Sequence, residues 1–519
     1  MIFALTLDRM NQPSLNYLKP RLIWILLICV LFLFLSYDDK HGWDENDFVF
    51  KAAFAPFDRT AEWFCQPDST IYGWYRNKIG NLYLLNILIK IFGIGRKALF
   101  LVDFIYALMM LGVSGFAYGI FRKIGGTPAQ AFGAAVFTLF LPTSLYLAFK
   151  PYGEPGALFF ICLSIWLFLC SLRFTSWKRW FLYLFSALAF MIATTFRLDV
   201  FILFYGLGLG LLAAREKRFW SIIRRYFEIT IVIILVVLLY YLLTGINPYQ
   251  NLFSTVNTMQ MAFLWNVYLT IFWGGVSAIF VLASFFGYRK RLFRFGLITL
   301  VLPAFSVFAF IHCIEVRQYY LSILPFGLLS YLGFREIERW MSNYFKLKVR
   351  RFVTCGMIVV MILGNYFIMS TLFDVGTEGK DLHHVMNYIQ GNYKNPLVLV
   401  DSIPNVYSYL RFAYPSTDLG LTREASFLYP NQITDLELLK NKAAYQPIIY
   451  IDAYGPSMNW AERIINAFKK DEKESGKTVV INWMRKNNNL ELEELVQKGQ
   501  YTVYLIREKE RVAKTEENP

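Results

Sequence analysis

Long apolar runs recur along most of this chain, and they constrain its fold more than any other feature. Between Leu22 and about Met369, each run is long enough to cross roughly 30 Å of hydrocarbon at about 1.5 Å per residue. The runs lack the alternation of a barrel strand, so each is expected to be a helix that satisfies its own backbone hydrogen bonds. The chain has 519 residues, 56% of them hydrophobic, and a mean hydropathy of +0.41. It is therefore predicted to be a polytopic, multi-pass α-helical membrane protein.

The apolar runs and their charged flanks predict about eleven spans. The spans are expected at residues 22–37, 97–121, 128–148, 155–172, 180–196, 199–213, 226–243, 267–286, 295–311, 319–334 and 352–371. Every second loop is basic, beginning with Arg9, Lys19 and Arg21, and the positive-inside rule then places the N-terminus in the cytoplasm. An odd number of spans puts the C-terminal part outside the cytoplasm. We expect the membrane to be a prokaryotic cell membrane.

The net charge of +15 and the pI of about 9.3 come largely from these basic loops. Loops of this kind face anionic lipid headgroups, so membrane lipids are expected partners and nucleic acid is not. The six cysteines show no spacing typical of a zinc site. No metal and no cofactor are predicted.

The composition changes after about residue 371, where charged residues become frequent and the apolar runs shorten to strand length. Two domains are predicted: a transmembrane domain over residues 1–371, with a first extracytoplasmic loop at 38–96, and a small extracytoplasmic α/β domain over 372–519. Strands are expected at Leu397–Asp401, Ile448–Asp452 and Tyr501–Ile506, and helices at Asp381–Asn392 and Met458–Lys470.

Unusual charged and polar residues gather at the predicted outer ends of the spans. They are Asp44 and Glu45 in the first outer loop, Lys150, Tyr152 and Glu154 in the second, Arg197 in the third, and His312, Glu315 and Arg317 in the fifth. An ionisable residue at membrane depth is costly and indicates function, although a lone charge at a helix end can instead snorkel or cap the helix.

The chemistry of these residues points to phosphate and to a hydroxyl. Lys150, Arg197, His312 and Arg317 are suited to hold a phosphate group. Asp44 or Glu45 is suited to act as a general base toward a hydroxyl.

The order of these motifs resembles that of the GT-C membrane glycosyltransferases, a class that includes the dolichyl-phosphate-mannose-dependent mannosyltransferases and the aminoarabinose transferase that modifies lipid A. The resemblance covers about residues 20–340. It is carried by His41-Gly42-Trp43-Asp44-Glu45 after the first span, by the interfacial segment Asn81–Gly95, by Ala129–Phe160 with Tyr152-Gly153-Glu154-Pro155, and by His312, Glu315 and Arg317 before a late span. The family's frequent His-Pro-Leu segment is absent, and Asn77-Lys78-Ile79-Gly80-Asn81-Leu82 stands in its place.

The resemblance implies a hexosyl- or pentosyltransferase with a GT-C-like catalytic domain over residues 1–371. Its donor would be a polyprenyl-phosphate sugar at the outer leaflet, and its acceptor a lipid, glycan or protein hydroxyl. Asp44, or else Glu45, would activate that hydroxyl, and the sugar would be transferred with inversion. Lys150, Arg197, His312 and Arg317 would hold the leaving phosphate. Glu154 would orient the acceptor or one of these cations, and Glu315 and Tyr152 would likewise bind the acceptor or orient the reacting groups.

Two other functions remain open at this stage. A transporter or flippase of a lipid-linked saccharide typically shows internal repeats and broken helices near the midplane, and no repeat is evident here. A phosphoethanolamine or acyl transferase needs a nucleophile or a metal cluster, whereas this chain has only four histidines and no such cluster.

Overall fold

The structure, a computed structural model, places most of the helical part of the chain and a C-terminal sheet. The residues that it describes are 18–37, 49, 79–214, 219–244, 274–287, 290–310, 316–344, 347–372, 378–400, 410, 413–414, 416–421, 447–452, 490–498 and 501–508. Among the predicted segments, the helix Met458–Lys470 lies outside these residues.

The described part is mostly α-helical. The helices are α1 Leu18–Ser36, α2 Ile79–Phe92, α3 Arg96–Lys123, α4 Pro128–Leu139, α5 Pro142–Leu147, α6 Gly153–Ser171, α7 Trp177–Phe196, α8 Phe201–Ala214, α9 Phe219–Thr244, α10 Val276–Ser284, α11 Arg291–Phe310, α12 Ile323–Ser342, α13 Leu347–Leu372 and α14 Glu378–Asn392. Short 3₁₀ helices cover Leu198–Val200, Phe285–Gly287 and Val316–Ser322.

Five of the described helices are long and apolar enough to cross a membrane. They correspond to Arg96–Lys123, Gly153–Ser171, Trp177–Phe196, Phe219–Leu243 and Arg351–Ser370. Shorter apolar helices cover Ile23–Ser36, Ile79–Phe92, Pro128–Leu139, Leu198–Leu212 and Val276–Gly287. The mainly helical, multi-pass class is confirmed, whereas the count of about eleven spans and the orientation of the two termini stay predictions.

The predicted span 128–148 is two helices instead of one. Thr127 caps α4 through a reciprocal pair of hydrogen bonds with Gln130, and Pro128 occupies the first turn, where its missing N–H costs nothing. Pro142 cannot continue the same helix, because its ring would clash with the carbonyl of the preceding turn. It therefore starts α5, and the Ser144 hydroxyl donates to the Thr138 carbonyl at 2.7 Å.

Buried polar side chains join α13 to the other apolar helices. The Asn365 amide donates to the carbonyl of Phe140 at 2.9 Å and to the Ser277 hydroxyl at 2.8 Å. The Ser330 hydroxyl of α12 donates to the Ser277 carbonyl at 3.2 Å. Hydrogen bonds of this kind hold membrane helices together where lipid and side chain are equally apolar.

Helices α10 and α12 approach each other closely at Gly333. A β-carbon added at Gly333 would meet the backbone carbonyl of Phe280 and would lie 2.7 Å from the backbone nitrogen of Ser284. Both obstacles are backbone atoms, which a side-chain rotation cannot move. Glycine is therefore required here for the two helices to pack.

The residues after 372 that the structure describes build a five-stranded sheet. The strands are β1 Leu397–Val400, β2 Asp418–Leu421, β3 Ile448–Asp452, β4 Leu490–Lys498 and β5 Tyr501–Glu508, in the spatial order β2-β1-β3-β5-β4. Strands β2, β1 and β3 are parallel, while β5 is antiparallel to β3 and β4. Helix α14 packs against β4 and β5.

The core of this sheet contains residues from the three strands that the sequence predicted. Leu399, Tyr450 and Ile506 are buried together in it. Parallel strands buried on both faces have continuous apolar sequences, and for this reason β1 and β3 were recognisable. Strands β2 and β4 were not predicted, because Asp418–Leu421 contains an aspartate and a glycine among its four residues and Leu490–Lys498 is rich in glutamate.

The chain divides into two compact units. The first comprises Met1–Tyr37, Ala55–Ile91 and Leu101–Thr371, and the second comprises Asp38–Phe54, Phe92–Phe100 and Leu372–Pro519. The catalytic assignment of the predicted domain 1–371 and the extracytoplasmic assignment of 372–519 stay predictions.

We expect Gly333→Ala to lower the free energy of unfolding by about 2–3 kcal/mol, because the added methyl group forces α10 and α12 apart. Gly356→Ala in α13 is the matched control, since a β-carbon there meets nothing within 4 Å. The control should be neutral or stabilising by up to about 1 kcal/mol. Unfolding in mixed detergent micelles measures both changes, and equal stabilities of the two variants would contradict the close contact.

Candidate functional site

The turn between α5 and α6 buries a cation. Lys150 is only 3% exposed, and its backbone N–H donates to the carbonyl of Leu147 at 3.3 Å. Its Nζ lies 5.8 Å from the ring centroid of Tyr146, within the range of a cation–π interaction. The buried Tyr152 is the N-cap residue of α6. The tight turn thus holds a lysine ammonium group at the start of α6.

Glu154 lies in the first turn of α6, where the helix dipole favours a negative charge. Its side chain is 1% exposed, and its Oε1 accepts a hydrogen bond from Nη1 of Arg197 at 2.8 Å. Its Oε2 is also buried, and it has no hydrogen-bond partner among the described residues. The carboxylate therefore has one oxygen with a charged partner and one that still has capacity for a donor.

Arg197 ends α7 and holds two carboxylates. Its backbone is extended, with φ −153°, and this turns the side chain out of the helix at the C-cap position. Its Nε and Nη2 donate to the two carboxylate oxygens of Asp199 at 3.1 and 3.0 Å, a forked geometry in which the charges strengthen both hydrogen bonds. Asp199 belongs to the 3₁₀ helix Leu198–Val200 between α7 and α8.

Tyr320 adds a third partner from a distant part of the sequence. Its hydroxyl donates to Oδ1 of Asp199 at 2.6 Å, and its ring centroid lies 5.5 Å from the Arg197 guanidinium carbon. Tyr320 is fully buried in the 3₁₀ helix Val316–Ser322, which also packs against α5 and α6. The backbone of Arg317 lies three residues earlier in the same 3₁₀ helix.

Small residues bring the ends of α6 and α7 together. A β-carbon at Gly153 would lie 2.8 Å from the carbonyl oxygen of Phe196, and one at Gly156 would overlap the Phe196 ring. Helix α2 is fixed to the same turn, because the Asn81 amide donates to the Pro151 carbonyl at 3.0 Å. The turn that carries Lys150 is thus held by two different helices.

The charges in this cluster do not cancel. Arg197, Glu154 and Asp199 contribute one positive and two negative charges. Burial by itself would lower the pKa of Arg197, but Asp199 and Glu154 together hold this pKa well above its usual value, so the guanidinium stays charged. A buried carboxylate is costly unless it is paired. Arg197 and Tyr320 supply donors to Asp199 and Arg197 supplies one to Glu154, so the second oxygen of Glu154 is the place where a further hydrogen-bond donor could bind.

The structure brings together some of the predicted site residues and does not describe others. Glu154 and Arg197 are in direct contact, and Lys150 and Tyr152 lie in the turn that precedes Glu154. Asp44, Glu45, His312 and Glu315 lie outside the described residues, as does the side chain of Arg317. Their roles stay predictions.

Three residues of the cluster were not among the predicted site residues: Asp199, Tyr320 and Asn81. Asp199 gives a sequence signal, because it follows Arg197 by two positions in a turn between two apolar runs. Tyr320 gives no such signal. The chain has 33 tyrosines, and nothing in the apolar run that begins near Tyr320 distinguishes it from the others. Asn81 is a polar residue in an apolar helix, which is a weaker signal of the same kind as Asp199.

We expect Arg197→Gln to lower the free energy of unfolding by about 3 kcal/mol, because Glu154 is left as a buried charge with no cation beside it. Adding Glu154→Gln to Arg197→Gln should recover part of this loss in a double-mutant cycle. Arg339→Gln is the control: Arg339 is 64% exposed and pairs with Glu336 at 3.0 Å, so its loss should cost less than about 1 kcal/mol. If Arg197→Gln and Arg339→Gln lowered the free energy of unfolding equally, the pair of Arg197 with the buried Glu154 would be refuted.

Comparisons with known proteins give structural matches only. No family model matches the sequence, and no curated protein matches it. The aminoarabinose transferase ArnT from Cupriavidus metallidurans in the apo state matches with a TM-score of 0.56 and 14% identity, over 94% of this chain and 98% of that chain. ArnT bound to undecaprenyl phosphate gives 0.57 and 12% over the same shares. The archaeal oligosaccharyltransferase AglB from Archaeoglobus fulgidus, in complex with an inhibitory peptide and a dolichol-phosphate, gives 0.49 and 12%, over 85% of this chain and 70% of that chain.

The two ArnT structures decide the fold, because they match almost from end to end. The resemblance that the sequence motifs predicted is thereby confirmed at the level of the fold. This chain has the fold of ArnT.

Proposed function

We propose that this chain is a membrane glycosyltransferase that moves a sugar from a polyprenyl-phosphate donor to an acceptor hydroxyl at the outer face of the membrane. The observation that carries the proposal is the match to ArnT bound to undecaprenyl phosphate, over 94% of this chain and 98% of that chain. The charged cluster of the buried Glu154 and the partly buried Arg197 and Asp199 supports it, since ionisable groups at the ends of apolar helices are costly to bury and are retained mainly where they serve a function.

The reaction that we propose is a single displacement with inversion. The acceptor oxygen attacks the anomeric carbon of the sugar, and the bond from that carbon to the phosphate oxygen breaks. The electron pair leaves with the polyprenyl phosphate. The acceptor proton goes to a carboxylate, for which Asp44 is our first choice and Glu45 the second. Both carboxylates belong to the first outer loop, which begins directly after Tyr37.

Lys150, Arg197, His312 and Arg317 are proposed to hold the phosphate and to stabilise the charge that grows on it as the bond breaks. Lys150 fits this role because its ammonium group is already buried in the turn before α6. Tyr37 contacts Phe149 with ring centroids 5.5 Å apart, so α1 ends next to the residue that precedes Lys150. Tyr37, the last described residue of this segment, thus lies beside the turn that carries Lys150.

Arg197 is proposed to act with its two acidic neighbours. Three hydrogen bonds to Glu154 and Asp199 leave further N–H groups of the guanidinium for a phosphate oxygen. The second oxygen of Glu154 is proposed to accept from a sugar or acceptor hydroxyl. Tyr152 and Glu315 complete the proposed orienting group.

We expect wild-type protein in lipid nanodiscs to consume one member of a panel of polyprenyl-phosphate sugars when a membrane extract supplies the acceptor. Asp44→Asn should abolish consumption, because the amide cannot take the acceptor proton. Asp47→Asn, which removes the same charge three residues further along the loop, is the matched control and should stay active. Mass spectrometry of the donor lipid measures all three proteins.

Two outcomes would count against this proposal. Full activity of Asp44→Asn would remove Asp44 as the base and direct the same test to Glu45. Transfer of an intact labelled lipid saccharide across the bilayer, with no donor consumed, would establish transport in place of glycosyl transfer.

We expect Lys150→Met to reduce kcat/KM for the lipid donor about 10- to 100-fold, since a hydrogen bond to a charged group contributes about 1.5–3 kcal/mol. Lys150→Arg should keep part of the activity, because it keeps the charge. Lys90→Met on the exposed side of α2 is the control and should leave kcat/KM unchanged. An unchanged kcat/KM for Lys150→Met would exclude this lysine from the phosphate site.

A further inference from the structure

A cavity of about 480 Å³ lies at the opposite end of α6 and α7 from Glu154 and Arg197. The last turns of α3 and α6, the turn after α6 and the first turns of α7 line it. Trp166 and Cys170 of α6 line the cavity, and at about 1.5 Å per residue they lie roughly 18–24 Å along the helix from Glu154. The proposed glycosyl transfer does not use this cavity.

The rim of the cavity carries four cations. They are Arg122 and Lys123 at the end of α3, Arg173 in the turn after α6, and Lys178 in the first turn of α7. Arg122 is fixed in place, because its Nη1 donates to the carbonyl of Gly126 at 2.8 Å. None of the described residues that line the cavity is acidic. The rim is therefore complementary to an anion.

The wall of the cavity is apolar and largely aromatic. Trp166 and Leu167 contribute from α6, and Trp177 and Phe181 from α7, with the rings of Trp177 and Phe181 6.1 Å apart. Trp177 is 69% exposed and Phe181 is 51% exposed. Aromatic rings of this kind are typical of the boundary between headgroups and hydrocarbon. A water-soluble anion would gain nothing from this wall, whereas an acyl chain would bury it.

We propose that this cavity binds an anionic phospholipid. Its phosphate would lie among the four cations of the rim, Arg122, Lys123, Arg173 and Lys178. The part of an acyl chain next to the headgroup would lie against Trp166 and Phe181. Two features select this occupant: a cationic rim without acids, and an apolar wall at the ends of three helices that are long enough to span a membrane. The ligand belongs to the face of the membrane that carries the basic loops. The proposal does not depend on the proposed glycosyl transfer.

The test measures lipid binding to delipidated full-length protein by native mass spectrometry. The probes are phosphatidylglycerol and phosphatidylcholine with identical acyl chains. Arg173→Gln/Lys178→Gln should weaken phosphatidylglycerol binding about 10- to 30-fold, because two cations near the phosphate are lost. Arg335→Gln/Arg339→Gln is the matched control, since it removes two exposed cations of α12 outside the cavity, and its binding should stay within about twofold of wild type.

A second variant tests the cavity with every cation kept. Cys170 lines the wall, and Cys170→Phe fills part of the space, so phosphatidylglycerol binding should fall about tenfold or more. Inorganic phosphate at the concentration of the lipid should not displace it. If Cys170→Phe does not fold, the two charge variants decide the question alone.

The proposal is overturned if both charge variants weaken binding equally, because the attraction is then a general property of the basic surface. It is also overturned if phosphatidylcholine binds as tightly as phosphatidylglycerol, if inorganic phosphate displaces the lipid, or if a folded Cys170→Phe binds like wild type.

Discussion

The requirement that a buried charge have a partner organises the first unit of this protein. Arg197 at the end of α7 holds Glu154 at the start of α6, and its forked pair with Asp199 fixes the turn into α8. Tyr320 joins the 3₁₀ helix before α12 to the same carboxylate. Segments separated by more than a hundred residues thus meet at one guanidinium. The positive charge of Arg197 thus compensates the two carboxylates that are brought to these segment ends.

Close packing makes this arrangement possible. Gly153 and Gly156 allow α6 to touch Phe196 at the end of α7, and Gly333 allows α12 to approach the backbone of α10. Lipid surrounds these helices, so apolar area alone does not favour one packing over another, and small residues with a few hydrogen bonds decide it. The hydrogen bonds of Asn365 and Asn81 serve the same purpose at two other helix contacts.

The sequence predicted the class of fold well, because apolar run length and loop charge are local properties. It also predicted that Glu154 and Arg197 belong to one site, since both are charges at the same end of neighbouring spans. It did not predict that Arg197 is already paired with Asp199, because that contact depends on the extended backbone at the C-cap of α7. It predicted one span at 128–148, where Pro142 starts a new helix. Tyr320 is reached only through the three-dimensional fold.

The order of strands in the C-terminal sheet has a consequence for the time course of biosynthesis. Strand β5 lies between β3 and β4, so the two parallel pairs that form from earlier residues, β1 with β2 and β1 with β3, leave the free edge of β3 without a neighbour. Tyr504 and Ile506 then complete the core beside Tyr450. The ribosome must complete β5 before that edge is covered. Until then the unpaired backbone N–H and C=O groups of β3 are open to pairing with other chains and to chaperones.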